Sequence, residues 1–343
     1  MGWATFHNRR AAQIENGDVR ITVTAEGGHI AEILHKASGI SPLWIPPWPS
    51  IEPSTYSLAK HPEYGADAES KLLAGIMGHN LCLDLFGGPS AEEAAAGMTV
   101  HGEASVAAYK ISFTGHELAA DCLLPSAQLY FERRIRLDGR RVVISETVEN
   151  TSILDRPAAW TQHVTLGPPF LEKGVTQFRA PGTKAHTLST GENFDWPVAT
   201  RKDGVKDDLQ VYTNAPASGG FDTVLMDPHR EQAFFFAFSP KRKVLFGYVW
   251  KRSDFPWLGI WDENYNRKQP PWNGQTLTRG MEFGASPIPE SRRKMIDRQA
   301  MFGMPGYRWI PAKTKVRADY WAFITTADSI PNSLEDLQVH IPA

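Results

Sequence analysis

A chain of 343 residues with 36 Lys and Arg against 38 Asp and Glu has a net charge of −2, too near neutrality for the basic surface that nucleic acid or an anionic membrane requires. With 42% hydrophobic and 22% charged residues it has the composition of a soluble protein with a large core, and no apolar run approaches the ~18 residues that span a bilayer. Its two cysteines, Cys82 and Cys122, give neither a disulfide framework nor a metal-ligand spacing, and MGWATFHNRRAAQ lacks an apolar signal region, so the expected location is the cytoplasm.

In chain order, VRITVTAEGGHIAEILHKASG at 19–39 predicts a β-hairpin, and the Pro-rich WIPPWPSIEP at 44–53 a rigid loop. SAEEAAAGM at 90–98 predicts a short solvated helical turn. LYFERRIRLDG sets Leu129, Phe131, Ile135 and Leu137 on one side and Tyr130, Glu132, Arg134 and Arg136 on the other; Asp138-Gly139 turns the chain into RRVVISETVEN. QAFFFAFS at 232–239 and KVLFGYVW at 243–250 are nearly continuous apolar strands, expected to be buried on both faces. KQPPWNG at 268–274 is a second rigid loop, and SRRKMIDRQAM at 291–301 a second short helix. Many short strands, weak helices and no internal repeat predict an all-β fold, a large antiparallel β-sandwich with a few short helices. The expected organisation is a single domain over 1–343, with its core at about 20–325 and a tail at 326–343.

Three polar centres stand out: His101 in TVHGEAS, His163 in AAWTQHVTLG, and Glu282 between Met281 and Phe283 in LTRGMEFGASPIP. A charged group amid apolar neighbours is seldom placed there unless something pairs with it or uses it. The segment WLGIWDENYNRKQPPWNGQTLTRGMEFG, 257–284, gathers Trp257, Trp261, Glu263, Asn264, Arg267, Trp272, Asn273 and Arg279. Indole faces with nearby amide, carboxylate and guanidinium groups suit a sugar-binding wall; the plainer alternative is a surface excursion pinned by its Trp anchors. Asp84 and His79 could join His101 at a metal, but no ligand spacing supports this, and neither metal nor cofactor is expected.

Together DLFGGPS…TVHGEAS, VENTSILDRPAAWTQHVTLG, GGFDTVLM and RGMEFGASP resemble, in element order, the galactose mutarotase-like superfamily, especially its aldose 1-epimerase and glucose-6-phosphate 1-epimerase branches. The resemblance covers roughly residues 20–325 and implies the β-supersandwich fold. It implies Glu282 as a catalytic base, His163 as the acid, His101 as a further catalytic contact and Asp222 as a hydroxyl ligand. Trp261, Glu263, Asn264, Trp272, Arg279 and His79 complete the expected substrate-binding set. Three positions depart from the family pattern: Ser105 stands where an Arg often follows His-Gly, Gln162 precedes His163 in place of Asn, and Phe283 follows Glu282.

The implied activity is interconversion of sugar anomers by acid–base ring opening, which needs one carboxylate and one histidine on opposite sides of a hemiacetal. That predicts Glu282, His163 and His101 in one aromatic-lined cleft, with Glu282 and His163 several ångströms apart. The expected partner is a small sugar or sugar derivative, and the expected state a monomer or homodimer. The alternatives are a non-catalytic sugar-binding or sensing protein on this fold, or a polysaccharide-cleaving enzyme using Glu263 or Asp262.

Overall fold

Period-two alternation dictates most of the structure, a computed structural model that describes residues 1–341. In Arg141–Asn150 every second residue from Val142 to Asn150 is buried, and its hairpin partner Leu129–Asp138 buries Leu129, Phe131, Arg133 and Ile135. Such strands have one face for the core and one for solvent. Gln232–Ser239 and Val244–Lys251 differ because both faces are covered. Phe235 and Phe246 meet the other sheet, while Phe234, Phe236, Phe238 and Leu245 lie under Ala327, Ile330, Leu337 and Ile341 of the C-terminal segment.

The strands form two large antiparallel sheets, one of twelve strands and one of eight. Their inner faces meet in one core that runs from Ala12 to Ile324. Phe283 of the larger sheet stacks on Trp250 of the smaller at 4.3 Å and meets Tyr248 and Tyr320 edge-wise or tilted at 5.4 Å each. The larger sheet starts at Gly2, so two strands, Gly2–Phe6 and Arg9–Glu15, lie ahead of the hairpin predicted at 19–39. The two predicted helices form as short helices of five and seven residues, Ala91–Ala95 and Arg292–Arg298. Among the described residues no helix is long and apolar enough to cross a membrane.

At the centre of the larger sheet run five neighbouring strands: His79–Asp84, Arg156–Leu166, Leu277–Gly284, Trp257–Asn264 and Ser218–Met226. Their register aligns Asn80, His163, Glu282, Gly259 and Thr223 in one row. Because neighbours along a strand point to opposite faces, Met281 and Phe283 enter the core while Glu282 points away from it. That outer face is roofed by loops and by the short helix Ser70–Leu73, enclosing a cavity of about 420 Å³.

Candidate active site

The sequence around Glu282 makes structural sense residue by residue. Gly280 and Gly284 share the face of Glu282, two positions to either side, and both positions lack room for a side chain. A Cβ on Gly280 would stand 2.3 Å from Glu282 Oε1, and one on Gly284 would stand 2.3 Å from Thr161 Oγ1. Across the sheet Gly259 is equally confined, its Cβ position 2.6 Å from the Phe221 ring. Three glycines therefore leave the space around the Glu282 carboxyl free of side chains along its own strand and at Gly259.

His163 faces Glu282 across the strand pair, with Nε2 3.0 Å from Oε1. The approach is not aligned as a hydrogen bond, and Oε1 has no hydrogen-bond partner. The other ring nitrogen, Nδ1, lies 3.0 Å from the Thr165 hydroxyl, which fixes the ring. His101 completes the group, its ring 4.6 Å from that of His163 and its Nδ1 3.5 Å from the Asn80 amide. It is held there by an unusual backbone: His101 at φ 68° and Gly102 at φ 76° are both left-handed. A Cβ on Gly102 would lie 2.5 Å from the Leu83 carbonyl, so the His-Gly pair is the means by which this loop is pressed onto the strand below.

Burial sets the protonation of the group. Glu282 is 2% exposed with no cation against it, and its carboxyl is pushed well above the ordinary range. His163, 5% exposed, is lowered to about 4, chiefly by burial with a smaller contribution from the Arg267 charge. His101 is likewise held well below its usual value by burial, then by His163. Burial therefore favours the uncharged form of all three groups: a protonated carboxyl on Glu282 and neutral imidazoles on His163 and His101.

Five of the ten predicted site residues line the cavity: Glu282, His163, His101, Trp261 and Trp272. The other five do not. Asp222 and Asn264 turn to the opposite face of their strands, where Asp222 accepts from Thr187 Oγ1 at 2.6 Å and from Arg201. Asn264 donates to the Ala215 carbonyl at 2.8 Å. Arg279 also faces inward and binds Asp262 through two 2.7 Å bonds. His79, one residue before Asn80, has the opposite strand parity and lies between Tyr248 OH and Gln162 Oε1, 2.9 Å from each.

Glu263 has the right parity, but its carboxylate accepts the backbone N–H groups of Asn266 and Arg267 at 2.6 and 2.9 Å and so anchors the following loop. Nor do Glu282 and His163 stand several ångströms apart, because the two strands place them directly opposite each other. Asp84 is bound by Arg292 at 2.6 and 3.0 Å and by Arg156. Among the described residues no group of three His, Cys, Asp or Glu side chains is placed to hold a metal.

Three polar lining residues lay beyond the predicted set and the residues named in its Trp-rich segment: Glu69, Ser189 and Asn266. Glu69 comes from YGADAESKLL, a stretch with no periodic or motif signal, and Asn266 follows the strand bearing Trp261. Arg267 belongs to the Trp-rich segment read as a sugar-binding wall, and it lines the cavity. Its guanidinium lies 5.4 Å from the Trp261 ring and 4.6 Å from that of Trp272, paired with Glu69 at 3.1 Å and Glu263 at 3.6 Å.

No protein-family model matches the sequence, and no curated protein matches it. Among solved structures, the chain is similar to a candidate aldose 1-epimerase from Klebsiella pneumoniae, with a TM-score of 0.69 at 14% identity over 94% of this chain and 80% of that one. It is also similar to a galactose mutarotase-like protein from Clostridium acetobutylicum, with a TM-score of 0.62 at 13% identity over 95% and 98% of the two chains. A galactose mutarotase related enzyme from Lactobacillus acidophilus gives 0.59 at 11% identity, over 94% and 99%. The chain has the galactose mutarotase-like fold. Within that fold, the Glu282–His163 row lies on the outer face of the larger sheet, walled by the Trp261 and Trp272 indoles.

Proposed function

We propose that this protein interconverts the anomers of a sugar, with Glu282 and His163 exchanging protons with the hemiacetal. The observation that carries this reading is the pair itself: a carboxyl and an imidazole, both buried, 3.0 Å apart in an aromatic-lined cavity, with the facing carboxyl oxygen unpartnered. A buried polar oxygen left unbonded costs about 1–3 kcal/mol, a cost that a purely structural role has no reason to bear.

In the ring opening, the reacting edge of the pyranose replaces the direct contact of the pair. Sugar hydroxyls that donate to Glu282 favour its charged form, and the proton passes to His163. Glu282 then takes the proton of the C1 hydroxyl while His163 gives its proton to the ring oxygen. The C1–O5 bond breaks as the C1 carbonyl forms. Rotation about C1–C2 and the reverse transfers close the ring on the other carbonyl face, returning the single proton to the pair. His101, uncharged beside His163, is suited to hold a neighbouring hydroxyl.

The test is anomer exchange measured by polarimetry or NMR on a panel of free aldoses, with wild type and Glu282→Gln. Acceleration lost in the variant is expected. Sugar binding that survives Glu282→Gln without turnover in either form would make this a binding protein on the same fold. The cleaving alternative has less support, since Asp262 is bound by Arg279 and Glu263 by the loop it anchors.

A further inference from the structure

The cavity extends past the proton-transfer pair. From His101 the aromatic lining continues to His163, then Trp261 at 5.9 Å and Trp272 a further 5.9 Å on, a contour longer than one pyranose ring. Trp272 is fixed there by Trp44, stacked at 6.1 Å, and Trp48, edge-on at 5.0 Å. It is 2% exposed and lines the cavity, yet its indole N–H has no acceptor. A buried donor left unpaired on a cavity-lining residue is one that a bound oxygen can satisfy.

The charge of this end narrows the ligand. Arg267 lies against the Trp261 and Trp272 rings, but Glu69 and Glu263 both pair with it, so it has no net charge to offer an anion. Phosphate or carboxylate would meet two carboxylates for one guanidinium. Hydroxyl groups, which both donate and accept, fit this mixed set, and indole faces fit sugar C–H surfaces.

We propose that Trp272, Arg267, Asn266 and Glu69 form a second, hydroxyl-reading subsite beside the Glu282–His163 pair, making the preferred substrate the reducing end of an uncharged di- or oligosaccharide. The proposal rests on the epimerase reading for its reaction but not for its binding. Its test follows anomer exchange by NMR magnetisation transfer for glucose, galactose, glucose 6-phosphate, lactose and cellobiose, with binding of the same sugars measured by calorimetry.

One added hydrogen bond predicts kcat/KM about 3- to 10-fold higher for lactose or cellobiose than for the monosaccharides. Trp272→Phe, which keeps the ring and removes the N–H, lowers the disaccharide value about 3- to 10-fold more than the monosaccharide value. Asn266→Ala, on an exposed loop residue, gives a second variant with the same differential should Trp272→Phe fold poorly. Equal constants for one and two rings, parallel losses in the variants, or a preference for glucose 6-phosphate over glucose overturn the subsite and leave the epimerase reading standing. If no sugar exchanges anomers, that reading fails and calorimetry decides the subsite alone. Tighter disaccharide binding that the variants weaken supports it; equal or absent binding overturns it.

Discussion

Two polar clusters lie back to back on the strand Arg156–Leu166. Gln162 points into the core and His163, the next residue, points out of it. Behind the sheet, Glu146 accepts from Arg133 Nε at 2.7 Å, Trp160 Nε1 at 2.9 Å, Gln162 Nε2 at 2.6 Å and Tyr320 OH at 2.7 Å. Gln162 Oε1 in turn meets His79, which reaches Tyr248, and no buried side-chain nitrogen or oxygen of these seven residues lacks a partner. On the outer face the account is the reverse. Glu282 Oε1, Asn80 Oδ1, Thr161 Oγ1 and Thr223 Oγ1, all in or beside one row, have no hydrogen-bond partner, nor does the Trp272 N–H. Both clusters are buried, so burial does not tell them apart. Satisfaction does: the inner cluster pairs its buried polar atoms within itself, and the outer one leaves four oxygens and an indole N–H unpaired.

The comparison is broken most directly at its two carboxylates. Glu282→Gln removes the proposed proton-transfer group without stranding a charge, so it should lower the rate of anomer exchange by about 10²- to 10⁴-fold while leaving the denaturation midpoint at or above that of wild type. Glu146→Gln should do the opposite. It leaves the Arg133 guanidinium buried without its counter-charge, a loss of about 3–5 kcal/mol read from urea unfolding, while activity per folded molecule falls far less than in Glu282→Gln. Stability loss from Glu282→Gln as large as that from Glu146→Gln would mean that both clusters are structural.

A smaller effect separates position from chemistry. Gly280→Ala puts a methyl 2.3 Å from Glu282 Oε1, and the far end of a side chain is what yields. The strand tolerates alanine, so stability should change by less than about 1 kcal/mol. The carboxyl is displaced from His163, and a roughly 10- to 100-fold fall in kcat is expected, since misplacement of about 1 Å can cost that much. Unchanged kcat in a well-folded Gly280→Ala protein would separate the carboxyl's position from the reaction.

How much of this was legible beforehand follows from the same parity. Alternation in Leu129–Asp138 and Arg141–Asn150 exposed the hairpin, and the apolar neighbours of Glu282 pointed to a glutamate needing an explanation, because both signals are local. Element order and composition point to Asp222, Asn264 and Arg279, but strand register, a property of pairing between distant segments, turns them inward. His79 and Asn80 show the sharpest case: adjacent in sequence, they belong to the two different clusters. Glu69 had no local signal at all, because only the fold brings it to Arg267, 198 positions away.

The mildest test is pH. In the proposed reaction the pair works when it holds one proton, and it loses its base when it takes up a second. That second proton goes to His163, whose buried ring titrates at about 4 rather than at its ordinary value of 6.5. On the acid side, exchange catalysed above the solvent background should therefore persist through the ordinary histidine range and fall by half only near pH 4. Stability follows the proton count. Between 6.5 and about 4 the unfolded chain carries a proton on this histidine that the folded one does not, so the contribution of His163 falls as pH drops through that window. Glu282, raised by burial, acts with the opposite sign: the folded state holds its proton above 4.5 where the unfolded state has lost it, and that contribution is lost as pH rises through the raised value. An acid limb centred near 6.5 would mean that His163 titrates as if in solvent, and the outer cluster would then owe its unpartnered atoms to openness rather than to a buried, waiting site.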